Sequence, residues 1–395
     1  MTTSKSQPSV LWVQVWVLAG LQGAITLAWL VYNAYLPKLL TQFGFPASLA
    51  AMILVVENAL AVVMEPLMGG LSDQTQQKFG TRFPFISFGV ILASTLLIAI
   101  PCVATFVPPT EAIRGILPLT LIAWALAMTV FRSPAFALLV KYSMPAELPL
   151  AFSFVTLAGG LIGAFRGVAN NFILSLGSVW AFAIASFVLL AAAFFLRFFH
   201  PPETPTELQN LNTPKIPFQN LSFIFLTGFS VAWGTRLLMD ALGKTLKTQF
   251  NTNDITAMMV WIGLALAFAA LPAGFCATKF GNRRAMVGGV ILTILSMLLM
   301  VYLRAQIPII LFIVAGFSLI VNGVIPFILE LMPPRWAGLG IGSYFGGFSL
   351  AMSVFASVFA PTITTAIAAM AGAVAFLLSG VCILLPKREQ VTGDR

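Results

Sequence analysis

The chain has 395 residues, of which 59% are hydrophobic and only 8% charged, with a mean hydropathy of +0.98. Those values exclude a soluble globular domain and define an integral membrane protein. The formal net charge of +9 does not point to nucleic acid, because the basic residues are scattered between apolar segments and gather on no single face.

About twelve apolar segments are long enough to cross a hydrocarbon core as helices: 10–36, 48–71, 84–106, 116–141, 150–174, 178–199, 218–241, 255–278, 285–303, 307–331, 338–359 and 364–385. The first is too long and too rich in Trp (Trp12, Trp16, Trp29) for a signal peptide, and no small-residue cleavage site follows it. On it Gln22, Thr26, Trp29 and Asn33 recur at helical spacing. Such a face suits a hydroxyl-rich ligand, with the indole as a stacking platform, or helix packing through interhelical hydrogen bonds.

The second span carries Glu57 and Glu65-Pro66 and runs into a polar stretch, "SDQTQQKFGTR", holding Asp73, Lys78 and Arg82. Arg132 and Pro134 lie in span four, and Pro326 takes the matching place in span ten; both prolines should kink their helices. On span five Phe152, Gly159, Gly163, Arg166 and Asn170 form one stripe, small at one end and polar at the other. Span seven has Arg236 and Asp240 four apart, the spacing of a pair along one helix. Asn322 lies in span ten, and Gly338, Gly342 and Gly346 make a small-residue stripe on span eleven, as Gly159, Gly163 and Gly167 do on span five.

A charge facing lipid costs about 2.5–3.5 kcal/mol at the helix centre, so these groups should face the bundle interior and find partners. At about 1.5 Å of rise per residue, Glu65 is level with Arg132 in one half of the membrane and Glu57 with Arg166 in the other. These are two candidate ion pairs. Lys and Arg concentrate in loops on one side, from Lys5, Lys78 and Arg82 to Lys387 and Arg388, which puts both termini in the cytoplasm.

Cys102, Cys276 and Cys382 fall on different spans at different depths and read as packing residues. His200, beside Pro201 and Pro202, reads as a surface residue. No phosphate loop, nucleophile triad, metal cluster or cofactor box is present, so neither an enzyme nor a bound cofactor or metal is expected.

The two halves repeat. "KFGTRFPFISFGVIL" after span two is answered by "KFGNRRAMVGGVIL" after span eight, and "SMPAELPLAFSFVTLAGGLIG" by "LMPPRWAGLGIGSYFGGFSLA". Six spans have been duplicated in parallel, giving bundles at 1–200 and 218–395 joined by a polar cytoplasmic linker at 201–217. This all-α plan of 12 transmembrane helices in two six-helix bundles resembles the major facilitator superfamily, whose sites lie between the halves near the bilayer midplane.

"GGLSDQTQQKFGTR" resembles that superfamily's loop between helices two and three. The resemblance implies that Asp73, with Arg82 or Lys78, caps a neighbouring helix and gates the outward-open form. An Asp at a helix terminus can accept backbone N–H bonds or pair with a cation, and at a moving interface such a contact biases two states by about 1–3 kcal/mol. A solvated hairpin is the plainer reading. The second half has Ala277 and Thr278 where the acid would stand.

"SDQTQQKFGTRFPFI" and "RSPAFALLVKYSMPAELPLAFSFVTLAGGLIG" further resemble the glycoside/pentoside/hexuronide symporters and the related sucrose-transporter group. In cation-coupled melibiose symporters an Asp-Pro pair stands where this chain has Glu65-Pro66, with further acids four residues earlier and on helix four. Here those positions are Ala61 and Arg132. One carboxylate opposite an arginine suits binding and releasing a proton better than holding sodium.

The expectation is therefore a monomeric multi-pass transporter in a prokaryotic inner membrane. It works by alternating access and moves a sugar or glycoside with protons. Gln22, Trp29, Asn33, Arg166, Asn170 and Asn322 would bind substrate, Glu65 with Arg132 would couple the proton with Glu57 as second choice, and Asp73, Lys78 and Arg82 would gate. An organic anion as cargo, or a non-transporting membrane sensor or assembly factor, are the alternatives.

Overall fold

The computed structural model describes residues 9–108, 110, 113–201, 216–358 and 363–386, the side chains of 356–358 excepted. Helices α1 (Trp12–Gln42), α2 (Leu49–Phe79), α3 (Phe83–Phe106), α4 (Ile116–Ala137), the short α5 (Leu139–Tyr142), α6 (Leu148–Ala164), α7 (Arg166–Ser175) and α8 (Ser178–Phe198) form the first half. The second half comprises α9 (Phe218–Phe250), α10 (Thr256–Phe280), α11 (Asn282–Leu303), α12 (Ile307–Leu331), α13 (Ala337–Val358) and α14 (Thr365–Leu384). Among the described residues, 12 helical segments are long and apolar enough to span a membrane. Most of the expected linker, residues 202–215, lies outside the described residues.

Helices dominate because a chain in lipid must satisfy its backbone N–H and C=O groups internally. Phe88, Phe187, Trp261 and Phe312 are exposed on the outside, as suits a lipid solvent. The repeat is visible in the backbone. Gly80 ends α2 at φ 78° and Gly281 ends α10 at φ 95°, conformations that cost a residue without Cβ least. Each is followed by a tight re-entry into the next helix. Short 3-10 turns at Pro145–Glu147 and Pro334–Trp336 lead into α6 and α13 at matching places. Pro134 and Pro326 both sit inside their helices, α4 and α12.

The halves meet chiefly where α2 packs on α13 and α6 on α10. Small residues make both approaches possible. A Cβ at Gly346 would lie 2.8 Å from the Val62 carbonyl oxygen, one at Gly160 2.9 Å from Ala267 Cβ, and one at Gly263 2.9 Å from Ala164 Cβ.

Span five departs from the continuous helix expected over 150–174. It breaks at Phe165 (φ −80°, ψ 2°), so that α6 and α7 are separate segments. The Gly-rich run from Gly159 to Gly167 weakens helical continuity there. The expected stripe consequently divides. Gly159 abuts Gln22, Gly163 faces Thr26, and Gly167 on the far side of the break meets Thr256 of α10.

Candidate functional site

At one end of the molecule Asp73, fully buried near the end of α2, reaches across to α13. Its Oδ1 accepts the Gly338 backbone N–H at 3.0 Å and its Oδ2 that of Leu339 at 2.7 Å. Arg82, 2% exposed, pairs with the same carboxylate and donates to the Pro334 carbonyl at 3.3 Å. A carboxylate from one half thus caps a helix N-terminus in the other, where free N–H groups and the helix dipole favour negative charge. Lys78, the other cation considered for this contact, stays exposed, and the partner is Arg82.

At the matching place the second half has Ala277 and Thr278 where the first has its acid. Asn282 donates to the Gly323 carbonyl at 2.8 Å and Arg283 to that of Pro386 at 2.6 Å, both within their own half. A neutral tie between the halves lies nearby: Asn322, expected to line the substrate path, is fully buried and donates to the Pro149 carbonyl of α6 at 3.0 Å.

Deeper along α2, Glu65 is fully buried. It pairs with Arg132 of α4 and accepts the Ser133 hydroxyl at 2.8 Å. The Arg132 guanidinium also lies 4.0 Å from the centre of the Phe345 ring, on α13 of the opposite half. The pair therefore touches the interface between the halves. It is the ion pair that relative depth anticipates.

The other two anticipated pairs do not form. Glu57 accepts from the Tyr32 hydroxyl of α1, and its Oε2 has no hydrogen-bond partner. Tyr32 stacks on Trp124 with ring centroids 4.3 Å apart. Arg166 starts α7 at the break in span five and is exposed. Asp240 pairs with Lys244 at 2.6 Å, and Lys244 also donates to the Ile363 carbonyl. Arg236 lies over Phe355 instead.

The polar face of α1 is largely spent on itself. Thr26 donates to the Gln22 carbonyl at 2.9 Å, and Asn33 to the Trp29 carbonyl at 2.7 Å. Trp29 packs edge-on against Tyr32 and Trp124. Asn170 is exposed on α7. His200 is half-buried with its Nδ1 2.7 Å from the Tyr142 hydroxyl, so it is a packed residue and no free surface histidine.

A cavity of about 740 Å³ lies between α6 and α7 of one half and α9, α10 and α12 of the other. It extends from Thr156 and Ser318 past Arg166 at the start of α7 and Arg236 in the middle of α9 to Lys247 near the end of α9 and Asn253 just beyond it, away from Asp73. Of the expected substrate residues, Arg166 lines it and Gln22, Trp29, Asn33, Asn170 and Asn322 do not. Lys247 is a lining residue that reading spans alone assigns to a loop.

Among the described residues, twelve helices long and apolar enough to span a membrane pack with a charged clasp at one end and a cavity between the halves, the arrangement of a membrane transporter. The sequence profile described as Major Facilitator Superfamily matches residues 18–223, and the chain belongs to that family. Over 77 residues it is 31% identical to the human proton-associated sugar transporter A, a match covering 19% of this chain and only 10% of that relative. Against the inner membrane symporter YicJ of Escherichia coli it is 26% identical over 187 residues, 43% of this chain and 40% of that one. The crystal structure of the human organic anion transporter MFSD10 (TETRAN) shares the fold, with a TM-score of 0.72, 17% identity and coverage of 95% of this chain and 100% of that one.

Proposed function

We propose that the chain is a secondary active transporter that moves a small polar solute by alternating access between its halves, coupled to protons. The observation that carries this reading is the Asp73 carboxylate seated on the N-terminus of α13. That contact exists only while the two halves are closed at this end, and the cavity lies towards the other. With the Lys- and Arg-rich loops in the cytoplasm, this is the outward-facing state, and breaking the clasp admits solvent from inside.

Glu65 and Arg132 form the coupling pair in this reading. Ionised Glu65 holds Arg132 while Arg132 rests on Phe345 across the interface. A proton on Glu65 removes the charge that fixes the guanidinium and loosens that contact, so proton occupancy biases the two states. Uptake by proteoliposomes with an internal pH dye tests it: solute entry should acidify the lumen, and Glu65→Gln should abolish acidification. Equal proton flux in that variant would remove Glu65 from the coupling role.

A sugar or glycoside is the cargo favoured by the 77-residue likeness to a sugar transporter. It predicts uptake of at least one member of a neutral sugar panel, with competition among hydroxyl-rich analogues.

A further inference from the structure

The cavity between the halves has a charge pattern that a neutral cargo does not explain. Arg166 enters it from α7, and Arg236 and Lys247 from α9. Among the described residues that line it, none is acidic. The acids closest in sequence carry other bonds: Asp240 pairs with Lys244 at 2.6 Å, and Asp254, exposed between the lining residues Asn253 and Ile255, accepts the Thr256 N–H at 2.9 Å. Arg166 and Arg236 line it from opposite halves. The remaining wall is mainly apolar, with Met259, Ile262, Leu266 and Phe317 facing Thr156 and Ser318.

A sugar entering here would leave three cations without a counter-charge and set its hydroxyls against an apolar wall, which a binding site built from matched polar groups avoids. An anion with an apolar body satisfies both parts. Guanidinium forks recognise carboxylates in bidentate geometry, and a volume of about 740 Å³ falls in the range of small-molecule sites.

We propose that this cavity binds an organic anion carrying an aryl or branched aliphatic body, its charged group held between Arg166 of the first half and Arg236 of the second, with Lys247 about three turns further along α9. The proposal puts an anion in place of the sugar that sequence likeness favours; it rests on the transporter reading above for transport, though not for binding. It also gives the anion a mechanical role. Arg166 and Arg236 carry like charges on opposite halves, and an anion bound between them would offset their repulsion. Binding therefore draws together the end opposite Asp73.

The test uses the full chain in nanodiscs of zwitterionic lipid. Thermal unfolding is followed with benzoate, indole-3-propionate and 1-naphthylacetate, each against its neutral amide. The carboxylates should raise the unfolding temperature and the amides should not. Arg166→Gln and Arg236→Gln should each weaken the apparent affinity about tenfold, as expected for a hydrogen bond to a charged group. Arg166→Lys, which keeps the charge, should weaken it less and shows that the site still folds.

Equal effects of acids and amides, no stabilisation by any of the three acids, or an unchanged affinity in Arg166→Gln would overturn the proposal. So would stabilisation that appears only when phosphatidylglycerol replaces zwitterionic lipid, since the anion would then be a lipid headgroup. Charge-dependent binding without flux in proteoliposomes would leave the site standing and remove the transport reading. Neutral-sugar flux that ignores Arg166→Gln, with no anion binding, would do the reverse.

Discussion

Replacing Asp73 by Asn should open the closed end of the protein without unfolding it. The carboxylate accepts two N–H bonds from α13 at 3.0 and 2.7 Å and carries the counter-charge of Arg82, which is 2% exposed. An amide keeps one acceptor, loses the charge and presents N–H groups to a cation. Bonds to a charged group contribute about 1.5–3 kcal/mol, and leaving a buried ion without its partner costs about 3–5 kcal/mol. Opening lets Arg82 hydrate, so this penalty falls mainly on the closed state. Even about 3 kcal/mol of it shifts the closed-to-open ratio roughly 100-fold. Spin labels at the exposed positions Lys78 and Arg284, one in each half, would report the change as a longer distance distribution. Asp73→Ala with Arg82→Ala removes the stranded charge and should open less than Asp73→Asn alone. Unchanged distances in Asp73→Asn would refute the reasoning, because the clasp would then contribute nothing to the choice of state.

Arg132→Ala should lower stability by about 3–5 kcal/mol by leaving Glu65 buried without a cation. Glu65→Ala in the same chain should restore much of it, and thermal unfolding of the four proteins measures the coupling. At Gly342 a Cβ would lie 2.8 Å from Pro66 Cα, so Gly342→Ala should prise α2 from α13 at a cost of about 1–3 kcal/mol. Transport should fall while circular dichroism stays helical. Asp254, in the loop before α10, is held below the usual carboxylate range by its hydrogen bonds to Thr256. A depressed carboxyl contributes stability above its unfolded value and loses it as pH falls through the folded one. The protection of the Thr256 amide, taken relative to its intrinsic exchange rate at each pH, should therefore fall below about pH 4, and Asp254→Asn should flatten that dependence.

The spans, their number and the Glu65–Arg132 pair were legible because hydropathy reports depth, and depth alone brings those two residues level. Depth says nothing about direction around the helix, and Glu57 shows the consequence. It is level with Arg166, yet it turns towards Tyr32, a neutral hydroxyl that no search for opposite charges selects. Asp240 had two cations at helical spacing, Arg236 and Lys244. The Ile363 carbonyl, 119 residues away, fixes Lys244 as its partner, and that is tertiary information. The polar face of α1 misleads for a local reason: the spacing that aligns Gln22 with Thr26 and Trp29 with Asn33 also lets Thr26 and Asn33 bond back to their own helix. The Asp73–Arg82 clasp was legible through its motif, whereas its target on α13 depends on how the halves pack. The cavity's cations were individually visible, but the break at Phe165 that sets Arg166 opposite Arg236 was not.

Locking the clasp tests alternating access most directly. Gln77 of α2 donates to the Arg335 carbonyl at 3.5 Å, so the two positions face each other across the closed end. In a chain with Cys102, Cys276 and Cys382 replaced, Gln77→Cys and Arg335→Cys would be bridged by a short reducible bis-maleimide. Solute flux into proteoliposomes should stop when the bridge forms and return on reduction, while binding at the opposite end persists. Undiminished flux through the fully bridged protein would contradict the account, because the solute would then cross without the halves parting at Asp73.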